Sequence, residues 1–236
     1  QMVLAMLTSE GKVWDAPATG YLLRDSGMPL DAMNNTIRVF LGTRIGCAQC
    51  HDHPFDHWSQ KDFYQVAAFM HGTKTRLDRR DGIYRNGNPL TRMREELQSS
   101  GSKNRGVGSF ARLVRANMYA VKDDEKRKLK FPHDYQYDDA KPGQKVEPKV
   151  IFGADPKPKS RTDTRSSFAR WLTSKDNPQF SKVIANRLWK KVMGVGLYEP
   201  VDEFTEMSEP SNPDLMEFLK QQMIASDYDL KAYLRL

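Results

Sequence analysis

The chain has 236 residues, 39% of them hydrophobic, which is enough for one large domain or two small ones with little apolar surplus. No apolar run approaches the roughly 18 residues of a membrane helix, so the sequence predicts a soluble chain with no membrane span. The net charge of +7 sits in the middle, where residues 71–165 carry 23 Lys and Arg against 13 Asp and Glu. Such a segment suits an acidic protein or an anionic polysaccharide. Nucleic acid is disfavoured, because aromatic residues are not interleaved with these charges as on a base-stacking platform.

In chain order, residues 1–8 read as the end of a helix. A start at Gln1, without an initiator methionine or a charged-then-apolar leader, suggests a processed chain or a fragment. Ala16-Pro17-Ala18-Thr19-Gly20-Tyr21 predicts a turn leading into a short extended piece. Asp31 is placed to cap a helix with Met33, Ile37, Val39, Phe40 and Leu41 on its apolar face, and Gly42 with Gly46 ends it.

The segment from Gly46 to Trp58 holds both cysteines of the chain and three of its five histidines. Cys47-Ala48-Gln49-Cys50-His51 is the attachment pattern of haem c: two thiols add across the porphyrin vinyl groups and the adjacent histidine becomes the proximal iron ligand. The same atoms allow two other chemistries, a zinc site built from Cys47, Cys50, His53 and His57, or a redox disulfide between the cysteines. No strand and βαβ pattern frames the cysteines, so a thioredoxin-like role is disfavoured. His53 precedes Pro54, which turns the chain away, and it enters the metal shell only in the zinc case. Asp52 and Asp56 read as partners for imidazole N–H groups or as turn residues. The sixth iron position is left between His71, Met70, another residue or chain, and an open or water-bound site; His57 and His133 are further candidates within the chain, His57 being too near the motif to fold over the opposite face.

Ser59-Gln60-Lys61-Asp62 opens a helix with a cap, and Phe63, Val66, Ala67 and Met70 form its buried stripe. Phe55, Trp58, Phe63, Tyr64 and Phe69 crowd the motif, either as walls for a macrocycle or as plain core. One helix is predicted over Pro89 to Gln98, between turns at Asp81-Gly82 and Asn86-Gly87-Asn88-Pro89. The apolar stretch from Phe110 to Val121 fits a strand or a short helix. Phe131 to Arg165, rich in Pro, Lys and Asp, predicts an extended connector on the surface. Helices follow over Ser166 to Thr173 and Asn177 to Met193, the second with Phe180, Val183, Ile184, Leu188 and Val192 on one face and Gly194 as its stop. Ser211-Asn212-Pro213-Asp214 starts another, with Leu215, Phe218, Leu219, Met223 and Ile224 inward.

The fold expected is mainly α: a cytochrome-like helical domain over 1–100, an irregular basic connector over 101–163 and a second helical region over 164–236. Arg187 and Trp189 read as packing and ion-pairing residues. No Gly-x-Ser-x-Gly, His-Glu-x-x-His or phosphate-binding glycine loop occurs, so no catalytic residue is assigned.

Phe40-Leu41-Gly42-Thr43-Arg44-Ile45-Gly46-Cys47-Ala48-Gln49-Cys50-His51-Asp52-His53-Pro54-Phe55-Asp56, with Gln60-Lys61-Asp62-Phe63-Tyr64 and Ala67-Ala68-Phe69, resembles the planctomycete-type cytochrome-associated domain of unknown function. Asn177-Pro178-Gln179-Phe180, Ala185-Asn186-Arg187-Leu188-Trp189, Gly194-Val195-Gly196-Leu197-Tyr198-Glu199-Pro200-Val201-Asp202 and Ser211-Asn212-Pro213 resemble the domain that usually follows it. The resemblance is weakest between about 72 and 130. It implies a large exported protein, often with a separate cytochrome c domain ahead of this region, and no settled activity. It also implies that the chain begins inside the first domain and ends inside the second. Cys47, Cys50, His51 and His53 fall on family motif positions, whereas His57, His71 and His133 do not.

The leading expectation is therefore an exported, periplasmic or extracellular c-type haem protein that transfers electrons to a redox partner protein or another haem domain. A secreted zinc-bearing module that binds anionic glycans or acidic proteins is the alternative. A third is a haem-dependent oxidoreductase completed by other parts of a longer chain.

Overall fold

A computed structural model describes residues 1–77, 89–100, 112, 118–157 and 163–236. In chain order its helices are α1 (Met2–Thr8), α2 (Gly20–Leu23), α3 (Pro29–Leu41), α4 (Gln60–Ala67), α5 (Pro89–Ser99), α6 (Thr164–Leu172), α7 (Pro178–Met193), α8 (Pro213–Ala225) and α9 (Leu230–Tyr233). Its strands are β1 (Gly11–Lys12), β2 (Thr73–Leu77) and β3 (Tyr119–Asp123). The fold is mainly helical, as expected. The predicted turns at 81–88 lie outside the described residues, as does part of the 110–121 stretch, whose end is β3.

Two compact units divide the chain at points other than the expected 100 and 163. The first joins Gln1–Gly27 to Thr73–Asp124, and the second joins Met28–Gly72 to Glu125–Leu236. In the first unit an antiparallel sheet in the order β1-β3-β2 pairs Gly11 with Val121 and Thr75 with Val121, so the chain's start and middle share one small sheet. Nothing in the local sequence announces strands this short, because long-range pairing and not a run of alternating residues creates them. Pro17–Thr19 is a 3-10 turn that runs straight into α2, in place of the expected extended piece.

The second unit is helical and carries the motif. α3 starts with Pro29 in its first turn and not with Asp31 as cap; proline needs no N–H partner there and its fixed φ suits the helix. Ala32, Met33, Thr36, Ile37 and Leu41 are buried, while Val39 and Phe40 are only half-buried. The helix stops at Gly42, whose φ of 61° places it in the left-handed region. Ser59 caps α4 through a reciprocal box: its hydroxyl accepts from the Asp62 N–H at 3.1 Å, and the Asp62 carboxylate accepts from the Ser59 N–H at 3.0 Å.

The expected surface connector is instead part of this unit's interior. Leu129, Phe131, Tyr135, Val146 and Val150 are buried. Phe131 packs on Tyr64 of α4 with ring centroids 5.8 Å apart, and Lys149 donates its N–H to the Gln65 carbonyl at 3.2 Å. The Pro- and Lys-rich composition describes the outside of this segment, while its spaced apolar residues fasten it to α4.

α6 begins at Thr164, and Phe168 lies 5.3 Å from Phe69. α7 is capped by Asn177 and stopped by Gly194 at φ 88°. Val192, expected inward, is exposed, since the last turn of α7 runs beyond the core. α8 buries Met216, Leu219 and Met223, leaving Phe218 exposed and Leu215 and Ile224 half-buried, so its inward face is rotated from the expected one. With Ala185, Leu197 and Tyr233 these three form one apolar cluster between α7, α8 and α9.

Candidate functional site

Gly46–Gln49 form a 3-10 turn directly after the chain leaves α3, with Ile45 and Ala48 buried beneath it. Ile45 and Ala48, three residues apart, share the buried face of the turn, which leaves Cys47 and Cys50 on an outward face, and both thiols are free and exposed. Gln60, first residue of α4, braces the turn, donating its side-chain N–H to the Gln49 carbonyl at 3.1 Å and its backbone N–H to the Asp52 carboxylate at 2.8 Å.

The His51 Nδ1 lies 2.7 Å from the Asp52 carbonyl oxygen. A carbonyl only accepts, so the contact selects the tautomer of the neutral ring with the proton on Nδ1 and the lone pair on Nε2. Tyr137 holds the backbone of the same residue one peptide unit earlier: the Asp52 N–H donates to its hydroxyl at 2.7 Å. Tyr137 was not among the sequence candidates, and the signal for it was the Tyr135-Gln136-Tyr137 run inside the supposed connector. Beside it, Tyr135 donates to Asp139 at 2.6 Å, and burial first, then that bond, pushes its phenol strongly up from the ordinary range. Tyr137→Phe is expected to leave the fold intact and to convert His51 from pure Nδ1–H to a tautomer mixture, read from the imidazole ¹⁵N shifts of the full chain. A spectrum unchanged from wild type would show that the Asp52 carbonyl is held without Tyr137.

His53 is engaged within its own loop. Its N–H donates to the Trp58 carbonyl at 2.7 Å and its Nδ1 accepts from the Phe55 N–H at 3.3 Å, closing a tight turn around Pro54. Among the described residues Cys47, Cys50 and His53 do not gather into a three-ligand group, whereas Asp56, His57 and Glu206 do. Of the aromatic residues near the motif, Trp58, Phe63, Tyr64 and Phe69 are interior, and Phe55, 82% exposed, is the ring left at the surface. His71 lies four residues past the far end of α4, a helix of eight residues and so about 12 Å long, away from the end that braces the motif. Its Nδ1 is buried without a hydrogen-bond partner among the described residues. Burial first and Arg127 second lower its pKa, which favours the neutral ring. Met70 is buried in the stripe of α4, and His133 is exposed.

A haem joined at this turn requires two reachable thiols and an imidazole whose outer nitrogen is free, and the residues present satisfy both conditions.

Behind the motif, Arg44 pairs with Asp202 at 3.0 Å and Glu203 at 3.1 Å, Arg38 lies 3.7 Å from Asp202, and Arg187 donates to the Arg38 carbonyl at 3.3 Å. Asn186, fully buried, accepts from the Leu197 and Tyr198 N–H groups at 2.8 and 3.0 Å and donates to the Tyr198 carbonyl at 2.9 Å. Arg187 is half-buried and held by that backbone contact, its Nε having no hydrogen-bond partner among the described residues, and Asn186 holds the loop that leads to Asp202.

The chain contains two regions that match known family models. Residues 22–75 match PSCyt2, a protein of unknown function (DUF1549), and residues 164–236 match PSD1, a protein of unknown function (DUF1553). Both are planctomycete cytochrome-associated domains of unknown function. No curated protein and no solved structure matches the chain significantly. No helix among the described residues is long and apolar enough to cross a membrane.

Proposed function

We propose that this chain is an exported c-type haem protein acting in electron transfer, with thioether bonds at Cys47 and Cys50 and His51 as proximal ligand. The observation that carries this is the pairing of two exposed thiols on one turn with a histidine whose Nδ1 is committed to the Asp52 carbonyl. Bound there, haem supplies a one-electron iron couple. The protein's part is to hold the imidazole: the Nδ1–H bond to Asp52 fixes the ring and raises its basicity as a ligand, and Tyr137 with Gln60 keeps Asp52 in place. The exposed position of the turn leaves the group within reach of a redox partner protein or another haem domain. The match to cytochrome-associated families is consistent with this role.

Expressed in a periplasm with haem-attachment enzymes, the chain is expected to keep its colour through acid denaturation and organic extraction, with an intact mass of polypeptide plus haem. Haem passing wholly into the solvent would overturn the proposal. His51→Ala is expected to shift the Soret band as a lost ligand does, while His53→Ala leaves it in place.

A further inference from the structure

The loop after the motif carries a second constellation that the haem site does not use. Asp56 and His57 follow Phe55, while Glu206 comes from the loop between α7 and α8, far along the chain but in the same unit. His57 Nδ1 lies 2.8 Å from Asp56 Oδ1 and 3.1 Å from Glu206 Oε1. The Asp56 side chain is only 4% exposed, and its second oxygen accepts from the Trp58 indole N–H at 3.1 Å. Asp56 Oδ1 also accepts the His57 backbone N–H at 2.9 Å.

One ring nitrogen can direct a single proton at only one of two oxygens, so hydrogen bonding alone leaves one of these contacts poorly served. A divalent cation serves all three atoms together. Ligand atoms about 2.1 Å from an ion lie roughly 3.0 Å apart at right angles and about 3.4 Å apart in a tetrahedron. The two measured edges are 2.8 and 3.1 Å, within a few tenths of an ångström of the first arrangement. The Trp58 indole holds Asp56 as an outer partner holds a metal-ligating carboxylate. The imidazole selects a borderline transition ion over the all-oxygen preference of calcium or magnesium.

We propose that Asp56, His57 and Glu206 form a surface site for a borderline divalent ion of the zinc class, with its remaining positions open to water or to an added ligand. The site is separate from the thiols and does not depend on haem. When filled, it ties the loop leaving the Cys-x-x-Cys-His turn to the loop between α7 and α8, and so links the two regions that match cytochrome-associated families.

The test is titration of the metal-free full chain with zinc chloride, followed by calorimetry, and with cobalt(II), followed by visible absorption. One equivalent of zinc is expected to bind. Cobalt is expected to give d–d bands without a thiolate-to-metal charge-transfer band. His57→Ala and Glu206→Gln are each expected to weaken zinc binding more than tenfold; both side chains are exposed, so the variants keep their fold, checked by circular dichroism. A Cys47→Ser/Cys50→Ser double variant is expected to bind as wild type does. Absence of saturable binding, binding unchanged by His57→Ala, or a charge-transfer band that vanishes in the double cysteine variant would each overturn the assignment.

Discussion

Asn186→Leu is expected to lower the stability of the motif-bearing unit by about 4 kcal/mol, because it leaves two buried N–H donors and one carbonyl without partners at about 1–3 kcal/mol each. Leucine keeps the branched shape of asparagine but its two methyl groups are bulkier, so some overpacking at this fully buried site adds to the loss of the hydrogen bonds. Asn186→Asp retains the two acceptor contacts and loses the donor to Tyr198, and its cost adds a buried charge that falls as pH is lowered and the carboxylate protonates. Urea midpoints at constant slope read both effects. A loss of under 1 kcal/mol in the leucine variant would mean that the 196–198 loop is held by its apolar contacts alone.

Gly42→Ala is the second large effect, expected at about 3 kcal/mol. Two costs add at this residue. An L side chain at φ 61° carries roughly 1–2 kcal/mol of left-handed strain. The new Cβ would also stand 2.8 Å from Val183 Cγ2 of α7, an overpacking of about 1–3 kcal/mol. Residue 42 cannot back away easily, since the Phe204 N–H donates to its carbonyl at 2.6 Å. Gly194→Ala supplies the control: its φ is 88°, yet a Cβ there meets nothing within 4 Å, so about 1 kcal/mol is expected. Equal losses at the two glycines would show that strain alone matters and that the contact with Val183 relaxes. Recovery of part of the loss in a Gly42→Ala/Val183→Ala pair would assign the remainder to the contact.

Much of the helical half of this fold could be read from single residues that act locally. Ser59 with Asp62, Asn177 with Pro178, Asn212 with Pro213, Gly42 and Gly194 all mark helix ends where the sequence alone placed them, because caps and left-handed stops work within a few residues. What failed had a non-local cause. β1 and β3 exist because distant segments meet, and Pro-rich composition hid the five buried apolar residues of 129–150, of which Phe131 packs on Tyr64 of α4. The inward face of α8 was misplaced because Phe218 and Leu219 look alike to a periodicity, and only the position of α7 decides between them. At the site, the cysteines and His51 were legible as a motif. Tyr137 and Glu206 were not, since each reaches the motif loop from far along the chain.

The interleaving of the two compact units also sets an order in time. The first unit closes once residue 124 has been made, while the second, which bears the thiols, needs partners as late as Phe204 and α8. At roughly 5–20 residues per second, Phe204 leaves the ribosome on the order of ten to thirty seconds after Cys50. Throughout that interval α3 lacks its lid and the Cys-x-x-Cys-His turn lacks the wall behind it. Cys47 and Cys50 thus spend that interval on a stretch of chain whose later partners in the same unit have not yet been made.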